Sequence, residues 1–329
     1  MLSTGGDFMS DILYLVIPCY NEEEVLHETA KRLLEKINTM IAKKLISNKS
    51  KILFVNDGSK DGTWNIIEEL NKKNNIFSGI NLSRNRGHQN ALLAGLMTTK
   101  EYADMTISLD ADLQDDVDVI DKFVEQYYSG CDIVYGVRCS RQTDTFFKRS
   151  TALAFYKLMN SLGVDMVYNH ADYRLMSKRA LDGLSQYEEV NLFLRGMIPL
   201  IGYKYSIVEY ERHERFAGES KYPLKKMIAF ALDGITSLSI KPIRIITFLG
   251  FTIFFISGIA SIYSLIVKFL GTTVTGWTSL TLSIWMLGGI QLLSLGVIGE
   301  YIGKIYNETK RRPRFIIADK LIDTNKKDS

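Results

Sequence analysis

Apolar and polar residues come in alternating blocks along the first two-thirds of the chain. ILYLVIP precedes a stretch of helical spacing from Glu23 to Met40, KILFVND precedes one from Trp64 to Lys72, and FSGINLS precedes one from His88 to Thr99. This is the rhythm of repeated βαβ units, in which short β-rich runs alternate with helices that show one apolar face. Two further runs, MTISLD and CDIVYGV, enclose a predicted helix over Val117 to Tyr128, so the pattern predicts about five strands in one open, mostly parallel sheet. After Val137 the pattern is less regular. A mainly helical stretch covers Arg149 to Leu162, and the pattern assigns no fold to the polar segment NHADYRLM.

The last third is different in kind. From Ile245 through Gly299 the only charged residue is Lys268, and two apolar stretches, Ile243 to Leu270 and Trp277 to Gly303, flank the uncharged turn GTTVTG. Each exceeds the ~20 residues that a helix needs to cross a bilayer. A buried helical hairpin of a large soluble protein would also be apolar, but runs so nearly free of charge argue against it. The sequence therefore predicts a two-helix anchor over residues 243–303. It follows a domain over residues 1–220 and a juxtamembrane region over 221–242, and precedes a basic tail over 304–329. Met227, Ile228, Ala231, Ile235 and Leu238 recur at helical spacing with Lys225 and Lys226 on another side, which suits a helix lying on the membrane surface or, as the competing reading, a plain core helix.

Charge sets the expected orientation. Lys241 and Arg244 precede the first span, and Lys304, Lys310, Arg311, Arg312 and Arg314 follow the second, so the domain and both termini are expected on the cytoplasmic side of a bacterial membrane. Lys268 opposes this weakly and can snorkel to the far interface. The chain's 329 residues carry a formal charge of only +3, too small to argue for nucleic acid, and the basic excess near the spans suits anionic lipid head groups. Three cysteines, Cys19, Cys131 and Cys139, leave one unpaired under any disulfide scheme, as expected of reduced thiols in the cytosol. The amino terminus lacks the order of a cleaved signal, so membrane delivery is expected to rest on the C-terminal helices.

The polar motifs fall where an open α/β sheet binds ligands, beyond the carboxyl ends of its strands: PCYNEE after the first, NDGSKDGT after the second, SRNRGHQN after the third and DADLQDD after the fourth. In the last of these, Asp110 and Asp112 are two carboxylates one residue apart, able to reach one face of a loop. Hard cations such as Mg²⁺ or Mn²⁺ prefer such oxygen ligands and can neutralise a departing diphosphate. An EF-hand is excluded because Asp115 stands where its glycine belongs and Asp121 where its bidentate glutamate belongs. Asp57-Gly58-Ser59 could bond a base or ribose, whereas Asp61 and Thr63 read as helix capping. Asn21 and Glu22 could equally only begin a helix. The four histidines show no defensible metal-ligand spacing.

Taken in order, PCYNEEE, VNDGSKDGT, LSRNRGHQNALLAGL, LDADLQD, DYRLM and RFAGESKY before two apolar spans resemble the polyprenyl-phosphate glycosyltransferases of glycosyltransferase family two. Bacterial undecaprenyl-phosphate glucosyltransferases and dolichol-phosphate mannose synthases are among these, and the resemblance covers nearly the whole chain. It implies a GT-A-type nucleotide-diphospho-sugar transferase domain, an inverting reaction and a divalent metal. It places Pro18, Tyr20, Glu22, Asp57 and Ala111 around a nucleotide sugar and makes Asp110 and Asp112 the metal and diphosphate pair. Asp172, with Asp112, becomes the catalytic carboxylate, and Arg195, Arg215, Ser220 and Lys221 become candidates for holding the lipid phosphate or the leaving diphosphate. Two positions depart from the family's pattern, Arg86 and the pair Asp115-Asp116, and both border the donor site.

The expected reaction is transfer of glucose or N-acetylglucosamine from a UDP-sugar to undecaprenyl phosphate. A homo-oligomer, a flippase and a downstream glycosyltransferase stay open as further partners. A processive polysaccharide synthase would share the nucleotide-sugar domain but normally adds a Q-x-x-R-W segment and more spans, neither of which is present. A catalytically silent scaffold is disfavoured by the intact acidic and basic motifs.

Overall fold

The structure is a computed structural model that describes residues 11–138, 170–211, 235–236, 239–269 and 276–322. Arg215, Ser220, Lys221, Cys139, the helical stretch predicted from Arg149 and most of the juxtamembrane region lie outside the described residues. The chain divides into two compact units. The first holds residues 1–156, 166–222 and 313–329, and the second holds 157–165 and 223–312.

In the first unit the predicted alternation appears as β1 (Leu13–Cys19), α1 (Leu26–Ala42), β2 (Lys51–Asn56), α2 (Thr63–Lys73), β3 (Phe77–Leu82), α3 (His88–Thr99) and β4 (Met105–Ser108). A helical turn at Val117–Val119 leads into α4 (Ile120–Tyr128), followed by β5 (Ile133–Arg138), β6 (His170–Ser177), α5 (Lys178–Ser185), α6 (Leu194–Leu200) and β7 (Tyr205–Tyr210). β8 (Ile317–Leu321) closes the described sequence. The eight strands form one sheet in the order β7-β5-β6-β4-β1-β2-β3-β8. β1, β2, β3 and β4 run parallel, whereas β6 enters antiparallel between β4 and β5, and β8 pairs antiparallel with β3 at the edge.

Burial on both faces explains the nearly unbroken apolar strands. Leu13, Leu15 and Ile17 of β1 pack into one core with Leu26, Leu33 and Ile37 of α1, while Tyr14 and Val16 pack into a second core with Leu92, Leu93 and Leu96 of α3. Alternation of side chains across the sheet sends neighbouring residues to opposite cores. α3 lies so close to the sheet that a Cβ on Gly95 would stand 2.4 Å from Val16 Cγ1 and 2.8 Å from Val55 Cγ2. The two described cysteines, Cys19 and Cys131, are free and buried.

Three strands were not legible in the sequence. β6 carries DYRLM, whose charged Asp172 and Arg174 hide a period of two, although Tyr173, Leu175 and Met176 fill the two cores. β7 is short and exposes Tyr205 and Ile207, so its pattern resembles a surface loop. β8 lies in the segment expected as a basic tail. There Arg314 donates to the Tyr187 carbonyl at 2.6 Å, and Phe315, Ile317 and Ile322 pack on the α3 core.

The second unit contains two long helices, α7 (Lys241–Phe269) and α8 (Trp277–Lys310). α7 exposes Phe248, Phe251, Phe255, Ile259 and Ile262, and α8 exposes Leu292, Leu293 and Leu295. Among the described residues one stretch, Met286–Lys310, is long and apolar enough to cross a membrane by length and composition. The expected anchor of two spans, over 243–303, is therefore matched at one place, and that stretch runs beyond Gly303 to Lys310.

Candidate active site

The loops after β1 and β2 interlock through side chains that cap backbone groups. Ser59 Oγ accepts from Asn21 N at 3.0 Å, Asn21 Oδ1 accepts from Lys60 N at 2.9 Å, and Thr63 Oγ1 accepts from Glu22 N at 2.9 Å. Asp61, just before the Gly62 N-cap, accepts from Thr63 N at 3.1 Å and so steadies the first turn of α2, in the helix-starting segment that the spacing predicted. Tyr20 projects from this rim, whereas Pro18 is buried within β1.

Asp57 is buried, with only 2% of its surface exposed, and both of its oxygens are engaged. Oδ1 accepts from Arg86 N at 2.7 Å and Oδ2 from Gly87 N at 2.9 Å, so Asp57 braces the loop between β3 and α3. Burial raises its pKa, and the two amide hydrogen bonds offset that only in part. Gly58, at φ +62°, passes against the same loop, where a Cβ would stand 2.6 Å from Arg84 C and Asn85 N. Only glycine tolerates that angle and that approach.

The loop after β4 is built to present carboxylates. Thr29 of α1 holds the Ala111 carbonyl at 2.7 Å, and Asp112 Oδ1 accepts from Gln114 N at 3.2 Å across the left-handed Leu113 (φ 57°). Asp110 and Asp112 are half-buried at this turn. Asp115, one of the two family departures, is buried and receives the Tyr210 hydroxyl at 2.6 Å and Arg138 Nη2 at 3.4 Å, so it ties this loop to β7 and β5. Asp116 accepts in its backbone carbonyl from Tyr173 OH at 3.0 Å.

β6 brings Asp172 beside Asp110, because it pairs with β4 in the register Ser108↔Arg174. Asp172 then gathers three cationic or protonatable partners. Arg195 donates from Nη2 to Oδ2 at 3.0 Å and from Nε to Oδ1 at 3.3 Å, Arg174 Nη2 donates to Oδ1, and His88 Nε2 lies 3.4 Å from Oδ2. Burial alone would raise the Asp172 pKa, but Arg195, His88 and Arg174 together hold it well below the carboxylate range. His88 Nε2 also stands 3.8 Å from Asp110 Oδ1. Burial disfavours its imidazolium, yet the Asp172 hydrogen bond and the charges of Asp110 and Asp172 win, and its pKa is raised.

Gln89 keeps these parts together, since its Oε1 accepts from Leu194 N at 2.8 Å and so pins the start of α6, which carries Arg195, to the start of α3, which carries His88. The structure thus joins Asp110, Asp172 and Arg195 in one cluster and places Asp57 in a bracing role nearby. Two members were not named as site residues from sequence. His88 could have been found from its place directly after Gly87 at the carboxyl end of β3. Arg174 could have been found from its i+2 relation to Asp172 along a strand.

Parallel strands with acidic and basic side chains interleaved at their ligand-binding ends mark an α/β enzyme that acts on charged substrates. The chain belongs to glycosyltransferase family 2: residues 14–184 match the family described as Glycosyl transferase family 2, and the mostly parallel sheet is GT-A-like. It is 57% identical over 306 residues to the uncharacterized glycosyltransferase YkoT of Bacillus subtilis, covering 93% of this chain and 91% of the relative. It is 41% identical to the prophage bactoprenol glucosyl transferase homolog of Escherichia coli, covering 92% of this chain and 97% of that one. Among solved structures, the mannosyltransferase PcManGT from Pyrobaculum calidifontis in complex with GDP-Man and Mn²⁺ aligns at TM-score 0.48 and 16% identity, over 72% of this chain and 65% of that one.

Proposed function

We propose that this glycosyltransferase transfers glucose or N-acetylglucosamine, with inversion, from a UDP-sugar to undecaprenyl phosphate, giving a lipid-linked monosaccharide for modification of the cell envelope. The observation that carries the reading is the Asp110, His88, Asp172 and Arg195 cluster at the carboxyl end of β4, where Arg195 and His88 hold Asp172 at 3.0 and 3.4 Å and His88 stands 3.8 Å from Asp110. The acceptor class follows from relatives named for bactoprenol glucosyl transfer that align over almost their whole length.

Asp110 and Asp112 are the residues that would hold a Mg²⁺ or Mn²⁺ ion. Their oxygens suit a hard cation, and no group of three His, Cys, Asp or Glu side chains able to hold a metal occurs among the described residues. Two carboxylates with substrate phosphates completing the coordination is the usual arrangement for such an ion. When bound, the cation supplies neutralisation of the charge that builds on the departing diphosphate.

The remaining chemistry falls to side chains of the chain. An oxygen of the ionised acceptor phosphate attacks the anomeric carbon. The bond from that carbon to the UDP oxygen breaks, and its electron pair leaves with UDP. Because the acceptor is already an anion, little general-base help is needed. Asp172, held ionised and engaged on both oxygens, is suited to orienting Arg195 and His88, the two cations we assign to the substrate phosphates. Arg215, Ser220 and Lys221 are assigned to the lipid phosphate or the leaving diphosphate on the RFAGESKY motif.

We place the catalytic domain and both termini on the cytoplasmic side of the membrane, with α7 and α8 as the two spans. The exposed phenylalanines and isoleucines of α7, unfavourable in water, support the first span. The site then reaches an acceptor whose tail stays in the bilayer at ~0.8 kcal/mol per buried CH₂.

The test is incubation of membranes with undecaprenyl phosphate and a panel of radiolabelled UDP-sugars, followed by chromatography of the lipid fraction. Label should enter the lipid from UDP-glucose or UDP-N-acetylglucosamine, and excess EDTA, Asp110→Ala or Asp112→Ala should nearly abolish it. Full activity in EDTA would overturn the metal assignment, and no labelled lipid from any UDP-sugar would overturn the donor assignment.

A further inference from the structure

The first unit is discontinuous in sequence: the chain leaves it after residue 222 and re-enters at residue 313 to add β8. On one side of this edge, three side chains stand abreast on adjacent strands, in the register Asn56↔Asn81 between β2 and β3 and Asn81↔Asp319 between β3 and β8. Asn81 Nδ2 donates to Asp319 Oδ2 at 2.9 Å, Asn56 Nδ2 donates to Asn81 Oδ1 at 2.8 Å, and Ser59 N donates to Asn56 Oδ1 at 3.3 Å. Ser59 Oγ in turn accepts from Asn21 N at 3.0 Å, whose side chain holds Lys60 N at 2.9 Å.

The direction of this chain is fixed at both ends, by the Ser59 N–H, which only donates, and by the Asp319 carboxylate, which only accepts. A carboxylate only accepts hydrogen bonds, whereas each asparagine amide has a donor side and an acceptor side and can present either. With Asp319 as neighbour, Asn81 must turn its NH₂ outward and its carbonyl toward Asn56. Asn56 must then offer NH₂ to Asn81 and keep its carbonyl for the Ser59 N–H. Without the carboxylate the Ser59 N–H alone holds this order and the outer NH₂ of Asn81 turns to water, so the two amides are tethered from one end only. Asn56 is 2% exposed, so water does not readily substitute there.

We infer that Asp319, encoded beyond the apolar helices, is a positioning residue for the Asp57–Lys60 loop and through it for the nucleotide of the donor; this rests on the donor-site reading above. It touches no substrate. It is the outer anchor of the amide order that holds the loop, so its loss acts on donor binding before it acts on turnover.

The experiment uses the full chain in detergent, as wild type, Asp319→Leu and Asp319→Asn. Hydrogen exchange is followed at residues 57–62 and, separately, at β3, and steady-state kinetics are measured with UDP-glucose and undecaprenyl phosphate. Asp319→Leu should speed exchange at 57–62 and raise the KM for UDP-glucose about fivefold, the scale of one hydrogen bond. kcat should stay within about twofold, and β3 should exchange as in wild type. Asp319→Asn, which keeps an acceptor oxygen, should fall between. Unchanged exchange at 57–62, or an unchanged KM alongside faster exchange, would overturn the inference. So would faster exchange of β3 with the two variants equally impaired, because that is the mark of an edge strand merely lost. Should wild type itself not use UDP-glucose, the donor reading fails, and exchange at 57–62 alone decides whether Asp319 holds the loop.

Discussion

Asp57 and Asp172 are two carboxylates buried at the same edge of one sheet, and their surroundings drive them in opposite directions. Asp57 hydrogen-bonds only to the backbone amides of Arg86 and Gly87, and with the weaker pull of the His88 and Arg86 charges these do not offset the cost of burial, so its pKa rises. Asp172 is largely enclosed too, with 12% of its side chain exposed, but meets two guanidiniums and an imidazole, and its pKa falls. Burial by itself does not fix a carboxylate's state; the formal charge of what it touches does. Two tasks follow. On the Asp57 side the fold holds a loop in shape, and on the Asp172 side it holds cations in place beside Asp110.

The largest break in this comparison should come from Asp172→Ala, which leaves Arg174, 1% exposed, without its carboxylate. Removing one partner of a buried ion pair costs about 3–5 kcal/mol. Urea unfolding of the first unit within the full chain should report that loss, with Asp172→Asn less severe because its amide oxygen still accepts. Stability equal to wild type in Asp172→Ala would mean that Arg174 finds another partner.

Asp57→Ala should cost less, about 1–3 kcal/mol for the amides of Arg86 and Gly87 left without an acceptor. Its kinetic signature should differ too: the KM for the UDP-sugar should rise through the disturbed loop, while Arg195→Ala, which removes a cation from the other side, should lower kcat. If both variants alter the same constant, the division of labour between the two sides is wrong.

The smallest and most discriminating effect is on acid sensitivity. Asp172 has a depressed folded pKa, so its contribution is present above the unfolded value of 3.8 and is lost as pH falls through the folded value. Asp57 has a raised folded pKa, so between 3.8 and that value the folded state binds the extra proton, and stability from this group increases as pH falls. Denaturation from pH 7 down to 3 should therefore show that Asp172→Asn removes a loss on the acid side and Asp57→Asn removes a gain. Slopes of the same sign in both variants would contradict the assignment of partners.

Much of this was written in local sequence. The βαβ rhythm over residues 12–137 and the helix beginning at His88 follow from apolar periodicity, which acts within one element and its nearest core. The bond of Asp61 to the first amide of α2 needs only its own loop. Asp110 and Asp112 stand out because two carboxylates one residue apart at a strand's end are legible without any partner.

What the tertiary structure decided depends on residues far apart in the chain. What Asp57 braces was hidden in sequence because its partners, some thirty residues on by the bonds to Arg86 and Gly87, are backbone amides that leave no mark there. His88 gained meaning only when β6 entered antiparallel beside β4 and brought Asp172 to 3.4 Å from it. β8 was hidden for the same reason, since a short edge strand lying past the apolar helices has one neighbour, and its place on β3 is fixed by backbone pairing and by Asn81 meeting Asp319 across 238 positions. Periodicity records which face of an element is buried, whereas the identity of the group waiting on the other side is set by the pairing of strands, and that is a property of the whole sheet.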